Sequence, residues 1–162
     1  MGLDNEILKK ALSQVLSGKD AHVGPTCALE GIEWEHAGAQ RDDMPHTIFQ
    51  LLNHMIYWQD WTIRWFDGQN PSLPEHASLS WPGDVGPRDQ KDWKQAVESF
   101  LNGLEELRGR CQEQELFSKR EKWSRLEMFN IIASHNSYHL GQLVFARRMV
   151  GAWPPPSGGN TW

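Results

Sequence analysis

His135 and His139 stand four residues apart in the stretch ASHNSYHLGQ, residues 133 to 142. Neutral imidazole is a ligand for zinc, nickel, copper and iron. Two rings one helical turn apart can therefore serve one ion, or can be two unrelated polar side chains on one face. Spacing alone decides little, because seven histidines in 162 residues give such a pair by chance on the order of 0.3 times. Context decides more. On a helical wheel the pair falls on the face Met128, Ile131, His135, His139, Gln142 and Ala146, which reads as mostly apolar and core-facing. A buried imidazole there needs a partner.

His54 is the third candidate ligand, in line with Leu51, Trp58 and Trp61 on the inward stripe of another helix. Three protein ligands leave a fourth position for water or substrate, the pattern of a catalytic rather than a structural ion. In HExxH peptidases the residue after the first histidine is a glutamate acting as general base; here it is Asn136, which accepts no proton at neutral pH. An ion with an open position instead lowers the pKa of bound water to about 7, or holds a thiol as its thiolate. Hydrolysis and thiol transfer both stay open on this reading. Tyr138 and Gln142 lie close enough on the helix to hydrogen-bond the ligand rings, though Tyr138 can equally pack at a helix interface with its hydroxyl in water. Gly141 costs a helix about 1 kcal/mol relative to alanine, so close approach of another helix or of a ligand is expected there. His22, His36, His46 and His76 fall in connections and read as solvated surface residues.

The elements that must position these side chains are helical. Ile7, Leu8, Ala11, Leu12, Val15 and Leu16 give residues 4 to 17 a helical period, and Gly18 ends it. Residues 19 to 46 read as an irregular connection with at most a short helical turn around 26 to 36. Thr47 and Gln50 form a capping box opening a helix that runs to about Phe66. Four of the nine prolines sit in residues 67 to 87, a loop by composition. A third long helix is expected from Arg88 to about Glu113. Ser124 and Glu127 cap a fourth that reaches about Val150. No strand pattern of comparable length appears. The expectation is an all-α four-helix bundle in a single domain over residues 1 to 162.

Bulk properties narrow the function. The net charge of −5 offers no basic footprint for phosphates, so nucleic acid is not an expected partner. No apolar stretch approaches the roughly 20 residues that span a bilayer, and the amphipathic N-terminus lacks the pattern of a signal peptide. Cys27 and Cys111 belong to no CxxC or CxxH pair and read as free thiols, which suits a soluble cytoplasmic protein. Nine tryptophans require burial in a core, a pocket or an interface. Trp58, Trp61, Trp153 and Trp162 are candidates to wall a pocket, though such a stripe is more often plain core.

LLNHMIYWQDW together with SHNSYHLGQLVFARRM resembles the DinB superfamily of small helical metalloproteins, including its bacterial thiol-dependent transferases. The early GKDAHV and the ending GAWPPPSGGNTW extend the resemblance over most of the chain. It implies an up-down-down-up bundle, a divalent ion, often zinc or nickel, held by His54, His135 and His139, and a homodimer. It also implies a small-molecule substrate and a low-molecular-weight thiol as partners. The functional expectation is a metal-dependent thiol transferase or hydrolase. The alternative is a non-catalytic metal-binding protein serving stress-related binding or dimerisation.

Overall fold

The computed structural model describes residues 2–18, 21–113 and 115–160. Its order is α1 (Gly2–Ser17), α2 (Pro25–Leu29), α3 (Trp34–Ala37), α4 (Ile48–Phe66), a 3₁₀ turn (Ala77–Ser80), α5 (Gln90–Glu113), a two-residue-stranded hairpin β1 (Lys119–Arg120) and β2 (Trp123–Ser124), and α6 (Arg125–Met149). The fold is all-α apart from that hairpin. Helix α4 packs on α5 and α6, and α1 packs on the same two helices from the other side, so the four long helices close a bundle.

Both capping boxes form as the sequence requires. The Thr47 hydroxyl accepts from Gln50 N–H while the Gln50 side chain accepts from Thr47 N–H, and Ser124 with Glu127 does the same for α6. These boxes fix where each helix starts, and so which side chains face inward. The core divides into two apolar clusters. One holds Leu51, Leu52, Met55, Trp93, Phe100, Leu140 and Leu143; the other holds Trp61, Trp65, Leu107, Phe129 and Ile132. Helices α4 and α5 pass from the first cluster to the second and α6 passes back. Where α4 and α6 cross between the clusters, the buried residues turn polar: His54, Gln59, Asn136 and His139.

Gly103, inside α5, has a packing reason. A Cβ there would come within 2.5 Å of Gln59 Oε1, so α4 and α5 approach closely at this level. Arg147, only 1% exposed, ties the end of α6 to α2: its guanidinium donates to the carbonyls of Ala28, Glu30, Cys27 and Ala152. No helix among the described residues is long and apolar enough to cross a membrane.

Candidate metal centre

His54 lies in the second turn of α4, 5% exposed. The 67–87 loop folds back over it. Thr47 Oγ1 donates to the Val85 carbonyl at 2.5 Å, and the Ser80 carbonyl accepts from His54 Nδ1 at 3.0 Å. A carbonyl can only accept, so Nδ1 carries the proton and the neutral ring presents a lone pair at Nε2. Trp81 stacks on His54 with ring centroids 3.9 Å apart and planes 7° from parallel; His46 stacks on Trp81 at 3.7 Å and 11°. Two rings that close cannot share one face of the indole, so Trp81 is sandwiched between them.

Helix α6 supplies the other two rings one turn apart. His139 Nδ1 donates to Gln142 Oε1 at 2.7 Å, which leaves its Nε2 lone pair free. His135 Nε2 stands 3.1 Å from His54 Nε2. The ring centroids of the three histidines are 4.5 to 5.0 Å apart, and one nitrogen from each lies within 4.8 Å of the other two. Burial pushes His54 and His135 down to about 4, aided by the neighbouring imidazoles, and lowers His139 in the same direction. At neutral pH all three are therefore uncharged, the form that ligates. Ideal tetrahedral zinc–imidazole bonds of about 2.0–2.1 Å place ligand nitrogens roughly 3.4 Å apart, so the donor set fits a single small divalent ion.

The surroundings differ from the sequence reading at several residues. Ile131 is 44% exposed rather than core-facing. The buried arc of α6 centres on Asn136, Leu140 and Leu143; at about 100° per residue Ile131 lies roughly 140° away, and the histidines occupy the shoulder between. Gly141 has open space and no atom within 4 Å of its Cβ position, so no helix approaches it. His46 is not a solvated surface residue but part of the Trp81 sandwich, and His22 bonds Ser137 Oγ through Nε2 at 3.0 Å. Tyr138 meets His139 ring edge to ring, centroids 5.0 Å apart, and is 65% exposed; its contact is aromatic rather than a hydrogen bond. Of the remaining histidines, His36 is half-buried in α3 and His76 is exposed beside Glu75.

Trp81 and Ser80 are the site residues that sequence reasoning missed. A tryptophan inside a Pro- and Gly-rich loop was the available signal for Trp81. The Ser80 contribution is a backbone carbonyl and leaves none. Trp58 closes another side, its ring 6.2 Å from His135 and 6.5 Å from His54. Trp61 is core, Trp153 lies over Arg148, and Trp162 falls outside the described residues. Asn136 is 5% exposed with neither amide atom bonded.

A helical bundle carrying a converging set of buried imidazoles defines a class of protein in which facing helices build a site between them. Residues 27–143 match the family model of the DinB superfamily, a span that includes all three histidines, and the chain belongs to that superfamily. No curated protein and no solved structure matches the chain significantly.

Proposed function

We propose that His54, His135 and His139 hold one divalent ion, zinc or nickel, and that the protein is a metal-dependent enzyme of hydrolytic or thiol-transfer type. The observation that carries this is the direction of the lone pairs. Ser80 and Gln142 each take the Nδ1 proton of a histidine, so His54 and His139 have only Nε2 to offer, and His135 Nε2 meets the first of these at 3.1 Å. Partners on the outer nitrogen that fix the tautomer of a ligating histidine are the usual accompaniment of a metal site.

When bound, the ion supplies Lewis acidity, lowering the pKa of a water in its open position to about 7 or keeping a coordinating thiol deprotonated. The chain's own contributions are distinct. Burial keeps the rings neutral, the Ser80 carbonyl and Gln142 amide hold their orientation, and the Trp81 indole covers one face of His54 against water. Asn136 follows the first α6 histidine but turns into the core, so no general base stands at that position.

Metal analysis of purified protein tests the reading, alongside His54→Ala, His135→Ala and His139→Ala. The expected result is about one ion per chain, lost in each variant with helicity retained, and turnover of aryl esters or of electrophile–thiol pairs that a chelator removes. Full occupancy in all three variants refutes the ligand set. Occupancy without turnover of either panel selects the non-catalytic reading.

A further inference from the structure

Alongside the histidines runs a groove of about 400 Å³, within the range of small-molecule sites. Its floor is Gly141. In the middle of a 25-residue helix this glycine costs about 1 kcal/mol relative to alanine, yet no neighbour needs the space its missing side chain leaves. Two large rings flank the bare floor, Tyr138 one turn before and Phe145 one turn after, 65% and 59% exposed. Met44, Pro45 and Leu51 form the facing wall. The groove adjoins the three-histidine site through shared residues: Gln142 bonds His139, Tyr138 touches the same ring, and His46 stacks on the Trp81 that covers His54.

Its electrostatics select against anions. Among the described residues of the lining Asp43 is the one charged side chain, and both its oxygens are held by Arg41, at 2.9 and 3.0 Å. Among the described residues no lysine or arginine lines the groove, and the Arg41 guanidinium is already engaged by Asp43, so a ligand carboxylate would be desolvated there with no free cation to pair with. With Gln142 Oε1 engaged by His139, its amide NH₂ is the group left to donate to a ligand.

We infer that this groove binds an uncharged small molecule with a flat aromatic body, laid on Gly141 between Tyr138 and Phe145, with its acceptor group on the Gln142 amide. The inference names the substrate class of the proposed metal site and rests on that reading for its catalytic meaning, but the binding itself does not depend on the ion. It also separates the two routes. A thiol bearing several carboxylates does not suit this groove, so such a thiol would have to reach the histidines from another side.

The test uses 2-naphthamide and its anionic near-isostere 2-naphthoate, titrated by calorimetry and by saturation-transfer NMR into the full-length protein, both chelated and zinc-loaded. Naphthamide should bind both forms and be preferred over naphthoate by at least tenfold. Gly141→Leu fills the groove at a position open to solvent, so it should keep zinc stoichiometry and raise the melting temperature while weakening naphthamide at least tenfold. Three results overturn the inference: no saturable binding at millimolar naphthamide, equal or tighter binding of naphthoate, or unchanged affinity in Gly141→Leu. A fourth is a micromolar dimer, by analytical ultracentrifugation, that Phe145→Ser dissociates, since a second copy would then cover the rings. Failure of the metal reading shows separately, as absent zinc stoichiometry with naphthamide binding intact.

Discussion

His54 Nε2 and His135 Nε2 stand 3.1 Å apart, a separation at which two ring nitrogens must share either a proton or a cation. The Ser80 carbonyl decides which His54 atom is involved, because it holds the ring proton on the opposite nitrogen. His135 Nε2–H donates to His54 Nε2, which leaves His135 Nδ1 buried with no partner. If the three histidines hold an ion, the Nε2 lone pairs of both rings would be available to it.

Proton counting distinguishes this arrangement from three ordinary histidines. At pH 6.5, three imidazoles of normal pKa hold about 1.5 protons, which zinc would displace. Here His54 and His135 are already neutral at that pH, their burial having pushed them to about 4, and His139 is lowered as well. Calorimetric zinc titrations in buffers of different ionisation enthalpy should therefore show well under one proton released at pH 6.5.

Gln142 separates orientation from ligation. Gln142→Leu removes the acceptor for His139 Nδ1 and frees that ring to turn, so zinc affinity should fall about 10- to 100-fold with stoichiometry unchanged. Gln142→Glu keeps the acceptor and should bind zinc at least as tightly as the wild type. Competition with a chromogenic chelator measures both.

What the sequence disclosed and what it hid divide along physical lines. Thr47 with Gln50 and Ser124 with Glu127 act within one turn, so the starts of α4 and α6 were legible, and with them the stripe that carries His54. His135 and His139 on one side of α6 were legible for the same reason. Ile131 was misplaced because the wheel was centred on the histidines, whereas the core face centres on Asn136, Leu140 and Leu143. The Ser80–His54 bond and the His46–Trp81–His54 stack join a loop to helix α4 across 26 residues or more, and nothing local in their sequence encodes that return. Gly141 was noticed; of the two neighbours expected there no helix approaches it, and its Cβ position faces open space.

Trp81→Ala should destabilise the fold by about 2 kcal/mol, less than a fully buried tryptophan would cost, because the indole is only half-buried. It removes the cover from His54 and the support of His46 together. Urea unfolding reads the stability loss. Zinc competition should show weaker binding as well, since the loop that carries the Ser80 carbonyl is no longer held in place.

Stability of the chelated protein should depend on pH in a direction set by the same burial. His54 and His135 titrate near 4 in the folded chain and near the ordinary value of about 6.5 when unfolded. Between those values the unfolded chain binds protons that the folded one does not, so stability rises with pH and levels off above about 6.5. It is lost as pH falls toward 4. Thermal melts across this window should show the slope, and His54→Gln with His135→Gln in one chain should flatten it.

Arg147 provides the control that tells fold from site. Its buried guanidinium has no carboxylate partner within hydrogen-bonding distance among the described residues; four backbone carbonyls, of Cys27, Ala28, Glu30 and Ala152, satisfy it instead. Burial pulls its pKa down, opposed by the nearby Cys27 and Glu30. Arg147→Met would leave those carbonyls without a donor, and each buried carbonyl left unsatisfied costs roughly 1–3 kcal/mol, so the total loss should be at least about 4 kcal/mol. Arg147→Lys should recover only part of it, because one ammonium cannot span carbonyls on both α2 and the segment after α6. Hydrogen exchange should quicken at residues 27–32 and 152–157, where these contacts hold the backbone. Zinc stoichiometry should stay at the wild-type value below the unfolding transition, since His135 and His139 lie two turns or more from this end of α6.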